Sequence, residues 1–247
     1  MTMLIEVEKV SKSFGGVVAN REISISVPEG EITGLIGPNG SGKTTLFNSI
    51  VGYHPIDSGS IRFKGREISK MRVQKIARLG MLRTFQQTRI YAKMNCVNNM
   101  LISVPHRDAT FADMFRPYSK ENLERAEHLL EFVGLYQKRK LPSGDLSFGQ
   151  QKLLEFAMAL MNQPELLLLD EPTAGINPTL INGLIDRLKR ANTEFGITLL
   201  VIEHNMRVVM NLADSIYCLA HGELLAHGTP AEIQNNQNVI DAYLGAH

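Results

Sequence analysis

The glycine-rich segment of residues 37–44 constrains the fold more than any other feature. It reads Gly-Pro-Asn-Gly-Ser-Gly-Lys-Thr and matches G-x-x-x-x-G-K-[ST] without departure. An apolar segment, predicted as a strand, precedes it, and a predicted helix over 44–51 follows it. Glycines let successive N–H groups turn toward a phosphate, and the helix N-terminus adds partial positive charge. The pattern predicts a phosphate-binding loop composed of Gly37, Pro38, Asn39, Gly40, Ser41, Gly42, Lys43, Thr44 and Thr45.

Two adjacent carboxylates follow a second apolar strand. Residues 165–170 form a short predicted strand that ends in Asp170, and Glu171 comes next. In open α/β sheets, ligands bind at the carboxyl ends of the strands. We expect Asp170 and the Thr44 hydroxyl to hold Mg²⁺, Lys43 to reach the β- and γ-phosphates, and Glu171 to orient the attacking water. The alternative is a polar strand end before a Pro172 turn.

Strands and helices alternate along most of the chain. Such alternation predicts an α/β fold with a parallel, helix-covered core sheet. Residues 21–27 show the two-residue period of a half-buried strand, and Lys64-Gly65 is a predicted hairpin turn. Residues 197–202 form a further buried strand, and Thr229 with Glu232 forms a capping box before a final short helix.

Two long helices are predicted from capping residues and apolar spacing. Ser119 caps one of them within a mainly helical insertion at about 87–150, and Asn177 with Pro178 opens the other. Their apolar positions are Leu123, Ala126, Leu130 and Val133 in the first, and Leu180, Ile181, Leu184, Ile185 and Leu188 in the second.

Composition excludes several classes of protein. The net charge is +1, which argues against a strongly basic protein that coats nucleic acid. Only two cysteines occur, too few and too far apart for a C-x-x-C metal pair or a disulfide framework, so we expect a reduced, intracellular compartment. The apolar runs are far shorter than the ~18 residues of a membrane span, so we expect any membrane role to be peripheral.

The segment of residues 146–150 points to a family. It reads Leu-Ser-Phe-Gly-Gln and resembles the L-S-G-G-Q signature of ATP-binding-cassette (ABC) ATPases, carried here by Ser147, Phe148, Gly149 and Gln150. Phe148 departs at the third position, where an aromatic residue is familiar in one branch of the family. Ser147 and Gln150 also form a capping box for a following helix, and both interpretations are compatible.

This resemblance implies roles for three further residues. Gln86, at the end of Arg83-Thr-Phe-Gln86, is similar to the Q-loop glutamine that contacts Mg²⁺ or the attacking water. His204 resembles the switch histidine that contacts the γ-phosphate, and Phe14 stands where an aromatic stacks on adenine. The alternatives are a surface glutamine, a structural histidine and a core phenylalanine.

Residues 174–177 stand at the D-loop position without its usual acidic residue, and Asn177 there is explained as a helix cap.

The resemblance extends over nearly the whole chain and indicates a branch. The motifs above, with Phe14-Gly15-Gly16 and the ending of residues 239–245, resemble the ATP-binding subunits of bacterial importers of branched-chain and other hydrophobic amino acids. Relatives in that group handle urea or short amides. The group implies one cassette over 1–247, in which a helical subdomain is inserted into a RecA-like core beside an N-terminal antiparallel β subdomain.

The resemblance also implies partners and a location. These are two membrane permease subunits, a second ABC ATPase subunit that is a paralogue or another copy, and indirectly a periplasmic binding protein, with no nucleic acid. The expected place is the cytoplasmic face of the inner membrane. In the implied mechanism the signature of one subunit completes the ATP site of the other.

Other classes of function remain as alternatives. A soluble ABC ATPase for iron–sulfur cluster assembly has a similar single cassette, so length does not exclude it. DNA-repair types need a long inserted coiled coil, and translation types carry two cassettes in one chain. A P-loop kinase leaves the signature segment and His204 without an explanation.

Overall fold

The computed structural model describes residues 2–84, 90–104 and 118–244. The chain divides into two compact units. The first comprises Met1–Arg83, Glu165–Thr173 and Leu188–His247, and the second comprises Thr84–Pro164 and Ala174–Arg187. The second unit therefore extends beyond the 87–150 segment that the sequence analysis delimits as a helical insertion.

An antiparallel sheet forms the N-terminal part of the first unit. Its strands lie in the order β2-β1-β4-β5. The predicted alternation is confirmed, since Ile23, Ile25 and Val27 are all buried within β2. The predicted hairpin turn at Lys64-Gly65 is also confirmed, and both residues have positive φ. The strands are β1 (Met3–Phe14), β2 (Val17–Pro28), β4 (Ser58–Phe63) and β5 (Arg66–Glu67).

A six-stranded sheet forms the core of the same unit. Its order is β10-β9-β3-β8-β7-β6, and all neighbouring pairs are parallel except β10 with β9. The predicted parallel core is confirmed, and each residue of β3, β7 and β8 is buried. The antiparallel edge was not predicted; it forms because His221 and Gly222, both with positive φ, make a tight hairpin. The strands are β3 (Ile32–Ile36), β6 (Met81–Arg83), β7 (Leu166–Asp170), β8 (Thr198–Ile202), β9 (Ser215–Ala220) and β10 (Glu223–Gly228).

Helices of the first unit pack against these sheets. Phe47 and Leu46 of the helix after β3 are fully buried in the main apolar cluster. The capping box of Thr229 and Glu232 forms as predicted. The helices are α1 (Lys43–Ile50), α2 (Val73–Arg78), α7 (Met206–Leu212), α8 (Pro230–Gln234) and α9 (Gln237–Leu244).

The second unit is helical in its described part. It contains α3 (Cys96–Ile102), α4 (Lys120–Phe132) and α5 (Phe148–Leu160). Ser119 caps α4 as predicted, and its side chain accepts a hydrogen bond from the N–H of Asn122. Leu123 was predicted on the buried face but is 41% exposed, because the apolar stripe of α4 begins one turn later, at Ala126.

The helix α6 (Pro178–Phe195) begins in the second unit and ends in the first. Asn177 caps it as predicted, since its side-chain oxygen accepts from the N–H of Thr179 at 3.1 Å. Leu184, Ile185 and Leu188 are buried. Leu180 was predicted in the same stripe but is 49% exposed in the first turn of the helix.

No helix within the described part of the chain combines the length and the apolar character that crossing a bilayer requires. Both cysteines, Cys96 and Cys218, are buried free thiols, so the expectation that they form no disulfide framework is confirmed.

Candidate functional site

The carboxyl ends of three neighbouring core strands bring the predicted chemical groups together. Gly37 follows β3, Asp170 ends β7, and Glu203 and His204 follow β8. Because β8 lies between β3 and β7 and all three are parallel, their carboxyl ends share one edge of the sheet. The phosphate-loop candidates therefore lie on the same edge as both candidate carboxylates and the candidate histidine.

The glycine-rich loop has the backbone conformation that its glycines predict. Gly37, Gly40 and Gly42 all have positive φ. A Cβ on Gly37 would lie 2.1 Å from the carbonyl oxygen of Leu219, and one on Gly42 would lie 2.3 Å from that of Ala19. No larger residue fits at these two positions without movement of the backbone.

The start of α1 offers backbone N–H groups to an anion. Gly42 precedes the helix and provides no side-chain cap. The amides of the first turn have no partner within a helix, so they are free to bind phosphate oxygens. Thr44 is exposed and Thr45 is half-buried, whereas Ser41 is buried beneath the loop.

Lys43 lies folded into the loop. Its ammonium donates to the carbonyl oxygens of Gly37 at 2.8 Å and Pro38 at 2.9 Å, and to the Ser41 hydroxyl at 3.2 Å. Burial lowers the pKa of Lys43, and the negative charges of Glu171 and Asp170 act in the opposite direction. The side chain is therefore a buried cation whose charge interacts favourably with both carboxylates.

Glu171 and His204 form a hydrogen-bonded pair. The Nε2 atom of His204 meets Oε1 of Glu171. Glu171 has φ of 51°, a conformation that costs a non-glycine residue about 1–3 kcal/mol. Its N–H donates to the carbonyl of Ile202 at 2.9 Å, which holds this conformation. The backbone and the histidine thus fix the direction of the Glu171 carboxylate.

Asp170 is buried with one oxygen bound and one free. Its Oδ2 atom accepts from Arg83 at 2.5 Å, and Arg83 also donates to the side chain of Asn48. Its Oδ1 atom is buried and has no hydrogen-bond partner among the described residues. An anionic oxygen of this kind fits a metal ion or a metal-bound water.

No motif in the sequence predicts a role for Arg83, which stands three residues before Gln86. Only the three-dimensional pairing of β6 with β7 shows that Arg83 compensates the charge of Asp170. Asn20 was also missed: its buried side chain donates to the carbonyl of Gly42 at 3.1 Å and holds the end of the loop. Neither contact has a local sequence signal.

Loss of the Arg83 side chain is expected to destabilise the folded protein. Replacing Arg83 by Met keeps much of the packing but leaves the Asp170 carboxylate buried without its counter-charge. We expect the free energy of unfolding to fall by about 3–5 kcal/mol. Urea unfolding measures this change.

The control is an exposed ion pair of the same chemistry. Arg21 pairs with Glu223 at 2.8 Å on the surface, so Arg21→Met is expected to change the free energy by no more than about 1 kcal/mol. Equal losses for the two variants would contradict the role of Arg83.

The remaining candidates lie at three places. Phe14, at the end of β1, is 44% exposed and meets His54 edge-to-face, so it is not a core residue. Gln86 lies outside the described residues. Ser147, Phe148, Gly149 and Gln150 belong to the second unit.

The signature segment forms the first turn of α5. The capping box is complete, since Ser147 accepts from the N–H of Gln150, and the Gln150 side chain accepts from that of Ser147. Ser147 is exposed, and Phe148 is 49% exposed. A Cβ on Gly175 would lie 2.8 Å from the ring of Phe148, so the aromatic at the third position packs on the D-loop segment.

This chain is similar to known proteins along nearly its full length. Residues 20–174 match the family described as "ABC transporter" and residues 223–247 the family described as "Branched-chain amino acid ATP-binding cassette transporter". The high-affinity branched-chain amino acid transport ATP-binding protein BraF of Pseudomonas aeruginosa is 39% identical, with 98% of each chain covered. The probable branched-chain amino acid transport ATP-binding protein LivG of Archaeoglobus fulgidus is 37% identical, with 98% of this chain and 96% of that protein covered.

Solved structures give the same result for the fold. An ATP-binding cassette of an ABC transporter in its ADP conformation has a TM-score of 0.89 and 32% identity, and covers 99% of this chain and 100% of that one. A nucleotide-free ATP-binding cassette from an ABC transporter has a TM-score of 0.87 and 33% identity, with 98% of both chains covered. The α/β phosphate-loop cassette fold that the sequence predicts is therefore confirmed.

Proposed function

This chain belongs to the ATP-binding subunits of ABC transporters, and we propose that it binds and hydrolyses ATP to power the import of branched-chain or other hydrophobic amino acids. The observation that carries the proposal is the shared sheet edge. There, Lys43, Asp170, Glu171 and His204 all lie at or just beyond the carboxyl ends of three neighbouring strands, and Glu171 and His204 contact each other. No simple structural role requires a buried lysine, two carboxylates and a histidine at one edge.

The phosphate loop binds the nucleotide in this proposal. The amides of Gly40, Gly42 and the first turn of α1 cradle the phosphates, and Lys43 leaves its own loop carbonyls for the β- and γ-phosphates. Phe14, whose ring is exposed, stacks on the adenine.

Three side chains are proposed to hold Mg²⁺. The free Oδ1 atom of Asp170 offers an anionic oxygen, directly or through water, and Thr44 offers an exposed hydroxyl at the start of α1. Gln86, which resembles the Q-loop glutamine, is the third proposed Mg²⁺ ligand. Magnesium, when bound, neutralises charge on the phosphates.

Glu171 and His204 act on the attacking water and the γ-phosphate. Glu171 orients the water and accepts its proton, because its carboxylate is held at the sheet edge by its backbone. His204, which binds the same carboxylate, contacts the γ-phosphate. The proton thus passes from water to the Oε atoms of Glu171.

The second unit is proposed to act on the partner's ATP. Ser147 and Gly149 at the start of α5 contact the γ-phosphate bound to the opposing subunit, and Phe148 and Gln150 shape that turn. The exposed Ser147 hydroxyl is compatible with this role. ATP then favours a closed head-to-tail dimer because its γ-phosphate makes contacts that ADP lacks.

The proposed partners follow from the same group. They are two membrane permeases, a second cassette that is a paralogue or another copy, and indirectly a periplasmic binding protein. The chain would be peripheral at the cytoplasmic face of the inner membrane. The names of the relatives support branched-chain amino acids over urea, and they give no support to the iron–sulfur alternative.

Uptake in the native host tests the transport proposal. Deletion of the gene is expected to reduce uptake of radiolabelled leucine, and a plasmid copy of the wild-type gene is expected to restore it. Loss of urea uptake with normal leucine uptake would change the proposed cargo. Normal uptake of both would contradict the importer proposal.

A further inference from the structure

The C-terminal helix makes a direct hydrogen bond to the phosphate loop. The N–H of Gly37, the first residue of the loop, donates to the hydroxyl oxygen of Tyr243 in α9 at 2.8 Å. The two residues are 206 positions apart. Tyr243 has no place among the groups proposed above to touch nucleotide, metal or water.

The Gly37 peptide has little freedom to turn away from this contact. Gly37 is buried, and a Cβ there would collide with the carbonyl oxygen of Leu219. A buried backbone donor without an acceptor costs free energy comparable to a lost hydrogen bond. In this conformation of the loop, Tyr243 is the acceptor for that donor.

Packing of α9 fixes the position of the Tyr243 hydroxyl. Val239, one turn earlier, is buried in an apolar cluster with Ile36 of β3 and Cys218 of β9, and Tyr243 packs against the same cluster. Burial raises the pKa of Tyr243 to about 12. The phenol is therefore neutral at pH 7 and is held in place before any ligand arrives.

We propose that Tyr243 is a positioning residue for the nucleotide site: its hydroxyl holds the Gly37 peptide, so that the C-terminal helix raises nucleotide affinity without touching the nucleotide. This inference rests on the proposed function of the loop. Without the hydroxyl, the loop satisfies the Gly37 N–H only by shifting toward water. Binding of phosphate must then reverse that shift, which weakens affinity.

The expected effect is on binding more than on chemistry. Among the described residues, no hydrogen bond joins Tyr243 to Glu171 or to His204. Its loss is therefore expected to raise KM for ATP with little change in kcat, which is the mark of an interaction made equally in the ground state and the transition state.

The test is Tyr243→Phe in the full chain, which keeps the ring in the apolar cluster and removes only the hydroxyl. Calorimetric titration with ADP and Mg²⁺ is expected to show a Kd about five- to fiftyfold higher than in the wild type. Thermal unfolding of the same samples measures any general loss of stability.

Tyr217→Phe is the matched control. The Tyr217 hydroxyl also bonds to the backbone of a single residue, accepting from the N–H of Ser26 at 3.1 Å and donating to the carbonyl of Ser26 at 3.0 Å, but Ser26 lies in β2 of the N-terminal sheet and not in the loop. We expect this variant to lose stability without a change in Kd for ADP.

An unchanged Kd in Tyr243→Phe, or equal weakening of ADP binding in both variants, would overturn the inference while leaving nucleotide binding intact. A wild-type chain that fails to bind ADP would instead overturn the proposed function, and this inference with it.

Discussion

Replacing Glu171 by Gln is expected to reduce ATP turnover about 10²–10⁴-fold, the usual contribution of a positioned general base. Gln has nearly the same size but its amide does not accept a proton from water. Nucleotide binding is expected to persist, because Lys43 and the loop amides are unchanged. The ATP-bound dimer is therefore expected to accumulate in its closed state, which size-exclusion chromatography with ATP measures.

The Glu171→Gln substitution is expected to leave the local structure around residue 171 unchanged. Its backbone conformation is held by the N–H bond to Ile202, which the substitution leaves in place. The amide oxygen of Gln still accepts a hydrogen bond from His204, as the carboxylate does. A loss of turnover thus reports the lost base and not a displaced loop.

Glu165→Gln is the control at the other end of the same strand. Glu165 pairs with Lys64 at 2.6 Å on the surface and lies six positions before Glu171, roughly 20 Å along an extended chain. This variant is expected to hydrolyse ATP at the wild-type rate. Normal turnover in Glu171→Gln would remove Glu171 from the proposed catalytic role.

Replacing Lys43 by Ala is expected to weaken ATP binding about ten- to hundredfold, since a charge-assisted hydrogen bond to a charged group contributes about 1.5–3 kcal/mol. The ammonium lies within the loop, on the carbonyls of Gly37 and Pro38, where a phosphate would replace those partners. Equilibrium titration with a fluorescent ATP analogue measures the affinity.

Lys64→Ala separates this loss from a general effect of removing a positive charge. Lys64 is exposed and interacts with Glu165 in a surface ion pair. Removing it is expected to leave ATP affinity unchanged, because exposed pairs contribute little and screening by salt weakens their field. Unchanged affinity in Lys43→Ala would refute the assignment of the loop as a nucleotide site.

Contiguous motifs made the candidate nucleotide site recognisable in the sequence. The loop, the strand that ends in Asp170 and the signature turn each carry their chemistry within a few residues. Their flanking apolar segments also indicate strand or helix directly. The parallel core followed from the same segments, because a continuous apolar run is typical of a strand buried on both faces.

Contacts between distant segments were not predictable in this way. Arg83 reaches Asp170 only because β6 pairs with β7, and Tyr243 reaches Gly37 only because α9 packs on β3 and β9. Neither pairing leaves a periodic or local signal. Leu123 and Leu180 were wrongly predicted to be buried. Both fit the apolar spacing of their helices, but each lies in the first turn, which does not pack against the core.

The most direct test of the whole account is to identify the proteins that co-purify with this chain from gently solubilised native membranes. The account predicts two permeases with several membrane spans and a cassette subunit, detected by mass spectrometry at stoichiometric levels. The Glu171→Gln variant with ATP is expected to retain these partners. A chain recovered away from the membranes, with non-membrane partners only, would contradict the transport function and leave only the ATP chemistry.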